Sequence, residues 1–395
     1  MTSRNRKQII CLAILSVSLI ICSGNAITPD LPAMIKAFSN IPASIVNLSA
    51  TVQQFAVIIT LFISTIMAKK IGMKKTISMG LVLVGLSGII PLISNSFMLI
   101  ILSRIILGIG IGFFNSLAID IINIYYQNDK AQRIKTIGIR TAFEPLGVCV
   151  LTMLAGWLAT INWHFVFIIY FTAFPVLWFF YHFVPEIHVA PIQSKSASAK
   201  SNWKDLFNVS TIILTLMMVF MCIVTAAVSV QVPNIIAQKH LGSSEMASTT
   251  ISLNTLASMA MGFGFSIVFK RLRRFTLPFG MLFMALGTLI IAMTNNIIIL
   301  MMGTIIVGFG FPISGSYIYA WIGDAIPKRT QGLITSILLV GCNLGTFISP
   351  IVTSLLSRSS VEHAFTIMGI ISIVIGMGIA AVQVFHQMKH PYSVA

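Results

Sequence analysis

Long apolar runs, each closed by a short polar segment, follow one another along the whole 395-residue chain. Twelve of them reach the roughly 20 apolar residues that a helix needs to cross a bilayer. Their approximate limits are 8–37, 45–68, 76–95, 97–121, 136–160, 163–185, 207–236, 246–269, 276–294, 297–323, 331–356 and 364–386. Apolar positions are continuous within each run rather than alternating, which argues against a membrane β-barrel. The pattern predicts an all-α membrane protein with 12 transmembrane helices. The first run follows Arg4, Arg6 and Lys7 but has no small-residue cleavage site, so it reads as a retained helix rather than a signal peptide.

Composition agrees: 57% of residues are hydrophobic and 9% charged, against about 25% charged in soluble domains. The net charge of +16 is where a nucleic-acid reading would begin, but the cations are not gathered on one face or tail. They sit between the apolar runs. With the N-terminus inside, inner segments hold 20 of the 25 Lys and Arg, and outer segments hold only Lys36, Lys239 and Arg358. That asymmetry places both termini in the cytoplasm and accounts for the charge without nucleic acid. A bacterial inner (plasma) membrane is the expected location.

The longest inner connection, 186–206 ("EIHVAPIQSKSASAKSNWKDL"), is polar and small. It divides the chain into an N-terminal half at 1–185 and a C-terminal half at 207–395, each with six helices. The halves echo each other. "AKKIGMKK" at 68–75 corresponds to "FKRLRR" at 269–274, "LGIGIGFF" at 107–114 to "VGFGFPIS" at 307–314, and Pro32 to Pro233. Offsets near 200 at three places indicate a duplicated six-helix unit. Parallel halves are the signature of one large transporter class, whose site lies near the bilayer midplane.

Chemistry concentrates in the few ionisable groups inside the runs, each a functional candidate because burial in lipid is costly. Glu144 lies about eight residues into the fifth run, roughly 12 Å from its inner end. In "GIRTAFEPLGV" (138–148) it precedes Pro145, and Arg140 is one turn away on the same face. A carboxyl at that depth suits reversible protonation; the plain alternative is a structural Arg140–Glu144 pair. Arg104 lies about 10 Å deep in the fourth run and calls for a carboxylate partner, Asp30 or Glu144, or an anionic substrate group. Asp30 stands between Pro29 and Pro32, either as a proton site or as a solvated cap. Asp120 and Asp324 are weaker candidates, Asp324 reading as a partner of Lys328 or Arg329. Among neutral polar residues, Asn25, Gln231 and Asn115 are candidate substrate contacts, alongside Gln53, Gln54, Asn254 and Asn343 as inter-helix hydrogen bonders. Cys11, Cys22, Cys149, Cys222 and Cys342 all fall in apolar runs without CxxC or Cys/His spacing, so they are expected to be inert, with no disulfide framework and no metal site. The series Gly108-x-Gly110-x-Gly112 is no nucleotide loop, since no strand or phosphate loop surrounds it; it lets helices approach closely. No Walker sequence or catalytic set is legible, so no cofactor is expected and an enzyme is not indicated.

These features resemble the major facilitator superfamily and, within it, the 12-helix drug:proton antiporter group. "ITPDLP" (27–32) is similar to that group's Pro-x-x-Pro motif, "LSRIILGIGIG" (102–112) to its helix-four arginine and glycines, and "GWLATINWHFVF" (156–167) to its entry into helix six, with His164 in place of the usual arginine. The signature loop after helix two departs: Lys69 stands at the aspartate position and Thr65 at the glycine position, while Gly72 remains. The helix-five motif keeps Pro145, Gly147 and Gly156 but sets Glu144 before the proline. The resemblance implies a monomeric secondary transporter working by alternating access, with Arg104, Asn25 and Gln231 lining the cavity. It implies export of a small organic solute by proton antiport: a drug, or a carboxylated or zwitterionic metabolite such as a metallophore. Proton-coupled import of a nutrient is the alternative, and a membrane sensor or scaffold the reading from another class.

Overall fold

A computed structural model describes residues 3–21, 23–115, 117–126, 130–186, 209–325, 328–357 and 360–389. The expected linker at 186–206 lies outside the described residues except for Glu186, as do Cys22 and the side chains of Asp324, Lys328 and Arg329. The described residues contain helices and no strand. In hydrocarbon every backbone N–H and C=O needs a partner within the segment, which a helix supplies.

The chain forms two compact units, Met1–Gln193 with Ser243–Ser252, and Ser194–Gly242 with Leu253–Ala395. The first contains α1 (Ser3–Ile21), a 3-10 stretch (Ser23–Asp30), α2 (Leu31–Ala37), α3 (Ala43–Leu48), α4 (Val52–Ile71), α5 (Met73–Ser87), α6 (Ile89–Ile93), α7 (Phe97–Asn115), α8 (Leu117–Tyr125), α9 (Lys130–Ile161), a second 3-10 stretch (Trp163–Thr172) and α10 (Ala173–Phe183). There follow α11 (Val209–Gln238), α12 (Ser244–Leu272), a 3-10 turn (Arg273–Phe275), α13 (Thr276–Met293), α14 (Ile297–Ala325), α15 (Lys328–Leu356) and α16 (Val361–Lys389). Eleven segments of described residues are long and apolar enough to cross a bilayer, and one of them, the 50-residue Ser244–Met293, holds both α12 and α13. Each of the twelve apolar runs therefore finds a helix. α9 begins at Lys130, six residues before the expected 136, because the polar turn Lys130–Lys135 continues the helix beyond its apolar part.

The internal repeat is visible in the packing. In the first unit a Cβ on Gly110 would lie 2.7 Å from the Gly80 carbonyl oxygen; in the second, a Cβ on Gly310 would lie 2.8 Å from the Gly280 carbonyl oxygen. Gly108 abuts the Gln53 carbonyl, and Gly308 abuts the Asn254 carbonyl. Glycine is required at these positions because backbone meets backbone, as in close-packed membrane helices. Gly110→Val is expected to force α5 and α7 apart and cost about 1–3 kcal/mol, read as a lower thermal midpoint of the detergent-solubilised protein. Gly262→Ala is the control: nothing lies within 4 Å of a Cβ there, so its midpoint should hold or rise.

One sequence expectation is corrected. Cys222 on α11 and Cys342 on α15 form a disulfide, their Cα atoms 5.5 Å apart. The cysteines are separated by 120 residues, so no short spacing announces them. Tertiary packing brings them together: a Cβ on Gly345 of α15 would lie 3.2 Å from the Cys222 Cβ, and the Ser349 hydroxyl donates to the Ile223 carbonyl at 2.8 Å. Cys11 and Cys149 are free.

Candidate functional site

The first span is not one helix. Gly24 and Pro29 lie in the 3-10 stretch that separates α1 from α2, so regular i→i−4 bonding lapses and carbonyls turn toward neighbouring helices. Arg104 on α7 uses this break. Its side chain is 1% exposed, and Nη2 donates to the Tyr170 hydroxyl at 2.7 Å, to Gln53 Oε1 at 2.9 Å and to the Gly24 carbonyl at 3.3 Å. The guanidinium carbon lies 4.7 Å from the Tyr170 ring centre and 5.9 Å from that of Phe167, so ring quadrupoles add to the stabilisation. Tyr170 donates onward to the Ser23 carbonyl at 3.3 Å, and Gln53 Nε2 donates to Asn25 Oδ1 at 3.2 Å. Arg104 thus ties four spans of the first unit together through neutral oxygens. The expected carboxylate partner is absent: among the described residues neither Asp30 nor Glu144 forms an ion pair with it.

Asp30 ends the 3-10 stretch. The solvated-cap alternative fails, because Asp30 is 1% exposed and its side chain caps no helix. Neither carboxyl oxygen has a hydrogen-bond partner, and the buried hydroxyls of Ser23 and Thr28 in the same stretch are likewise unpartnered.

Glu144 and Arg140 form the ion pair that their spacing suggested, at 2.8 Å, with side chains 26% and 6% exposed. Arg140 Nη2 also donates to the Asn115 carbonyl at 3.4 Å, so Asn115 contributes its backbone here. Beside the pair stands Pro145, inside α9. One turn on, Gly147 meets the Leu19 backbone of α1 with no room for a Cβ. Gln231, on α11 in the second unit, is buried and accepts from Asn234 Nδ2 at 3.1 Å.

Lys69 is exposed and forms no ion pair among the described residues. The loop it belongs to turns at Gly72, whose φ of 92° favours glycine. Two groups lie beside this loop: Glu186 Oε1 is 3.3 Å from where a Cβ on Gly72 would be, and Lys74 Nζ stands 4.7 Å over the Tyr181 ring. His164 bridges Asn162 Oδ1 at 3.0 Å and Asn95 Oδ1 at 2.7 Å. Tyr170 and Gly24 are the site residues that sequence reasoning missed. Tyrosine in an aromatic run carries no periodic signal, and a carbonyl acceptor carries none at all.

The sequence profile of the Major Facilitator Superfamily matches residues 13–233 and 214–391. The chain belongs to the major facilitator superfamily. Solved facilitator structures agree with this fold. A peptide transporter POT superposes with a TM-score of 0.77 at 14% identity, covering 95% of this chain and 94% of the other. A nucleoside transporter NupG gives 0.73 at 13% identity, covering 94% and 99%, and a D-xylose-proton symporter gives 0.69 at 18% identity, covering 94% and 96%. No curated protein matches the chain in sequence. As a facilitator it is a multi-pass membrane transporter.

Proposed function

We propose that this facilitator is a proton-coupled secondary transporter of a small organic solute, that Asp30 takes the coupling proton, and that Glu144 and Arg140 form a pair the substrate competes for. The carrying observation is Asp30: a fully buried carboxyl with neither oxygen bonded. An isolated charge in such a place is costly, while the neutral acid is far cheaper. A carboxyl that must shed or gain a proton on each exposure to water is what coupling requires. Arg104, clamped by protein oxygens, acts as the structural centre of the site rather than a substrate contact. Arg140 is the cation available to a substrate carboxylate, and protonation of Glu144 releases it.

Export by proton antiport is the direction supported by the retained Pro145, Gly147 and Gly156 of the helix-five motif, with both termini cytoplasmic in the cell membrane. The substrate class that suits a releasable arginine is a carboxylated or zwitterionic metabolite or drug. Import by proton symport is the second reading, favoured by the likeness to a D-xylose-proton symporter. Vesicles decide: with an acidic interior, inverted vesicles accumulate the substrate of an exporter, whereas uptake into right-side-out vesicles under an inward proton gradient would overturn export. Comparing metabolites in cells and medium of a deletion strain and its parent would name the substrate.

Glu144→Gln keeps the size of the side chain and removes its charge. The expected result is a several-fold shift in KM for a carboxylated substrate with pH-driven accumulation retained. Loss of accumulation with unchanged KM in reconstituted vesicles would instead assign the coupling proton to Glu144.

A further inference from the structure

We propose that the second unit binds one anionic phospholipid, its acyl chain in a groove between α13 and α16 and its phosphate on the basic turn before α13. The groove has a volume of about 290 Å³ and is lined by Phe275, Pro278, Phe279, Leu282, Gly376 and Met377, among others. Its one hydroxyl-bearing wall residue, Ser372, spends its hydroxyl on the Met368 carbonyl at 2.8 Å. Nothing polar is offered to an occupant there, so the part that fills the groove is hydrocarbon.

Charge enters at one end only. Leu272 and Phe275, which line the groove, belong to the turn that carries Lys270, Arg271, Arg273 and Arg274. Lys270, Arg271 and Arg273 are exposed. Arg273 has φ 47°, a left-handed conformation uncommon for a non-glycine residue, which breaks the helix line between α12 and α13. No carboxylate among the described residues forms an ion pair with any of the four.

The internal repeat sharpens this. In the equivalent turn of the first unit, 69–75, Lys74 lies over the Tyr181 ring, and no carboxylate among the described residues forms an ion pair with its lysines. Beside the corresponding cations of the second unit an apolar groove opens. A diacyl lipid with a phosphate headgroup supplies both missing parts, an anion for the cations and a chain for the groove.

The test uses the full-length protein in detergent, titrated with phosphatidylglycerol or phosphatidylethanolamine and read by native mass spectrometry. One phosphatidylglycerol should bind in preference to phosphatidylethanolamine. Combined Lys270→Gln, Arg271→Gln, Arg273→Gln and Arg274→Gln substitutions should weaken that binding by about tenfold or more. The same neutralisation of Lys69, Lys70, Lys74 and Lys75 should leave it unchanged, and inorganic phosphate should not displace the lipid. Gly376→Phe, which fills the groove, should also lose the lipid. Equal binding of both lipids, equal loss from both turns, displacement by phosphate, or full retention in a folded Gly376→Phe protein would each overturn the proposal. Should Gly376→Phe lower the thermal midpoint, the surface-charge variant decides alone.

Discussion

Asp30→Asn is expected to abolish solute accumulation driven by a pH gradient while leaving exchange of labelled for unlabelled solute intact. Asparagine keeps the shape of the carboxyl but cannot carry a proton. Neither carboxyl oxygen of Asp30 has a hydrogen-bond partner, so the substitution breaks no hydrogen bond and folding should survive. Vesicles loaded with a pH-sensitive dye and reconstituted with purified protein give both readouts. Proton flux coupled to solute should fall to the level of empty vesicles. Gradient-driven accumulation by the Asp30→Asn protein at the native rate would remove Asp30 from coupling altogether.

Arg104→Met should have the largest effect on stability. It removes one donor group from three oxygens, those of Gln53, Tyr170 and Gly24. Buried acceptors left without donors cost about 1–3 kcal/mol each before any relaxation, so the loss should be about 3 kcal/mol or more. Arg104→Lys should fall between native and Met, because an ammonium keeps the charge but lacks the planar fork that spans several acceptors. The thermal midpoint in detergent should order native, Lys, Met from high to low. A native midpoint in Arg104→Met together with a raised KM would show a substrate contact instead of a structural hub.

The fold was readable because lipid imposes one strong rule, continuous apolar length, and the chain obeys it in every span. The repeat was readable as well, since glycines that hold backbones together cannot be replaced and so keep their spacing. The site was harder. Arg104 was found because a deep charge stands out, yet its partners were misjudged: the sequence argument sought a carboxylate, and the structure used two polar side chains and a carbonyl exposed by a helix break. Asp30 looked like a surface cap or a buried group with equal force, because the sequence cannot say how the 3-10 stretch folds inward. Glu144 and Arg140 were legible because helical spacing alone brings them together. Cys222 and Cys342 were not, since only the packing of α11 on α15 joins them.

The glycine contacts also bear on where the first unit can bend. α5 and α7 touch through main-chain atoms at Gly80 and Gly110, and α4 and α7 at Gln53 and Gly108. Helices in such contact cannot slide without collision, so these three form a stiff plate. Compliance then falls to the two spans broken by 3-10 stretches, Ser23–Asp30 and Trp163–Thr172, which have only the poorer hydrogen bonds of that geometry. The proton-binding candidate therefore sits at the end of one of these two breaks, so a change in its charge acts beside a joint rather than on the plate.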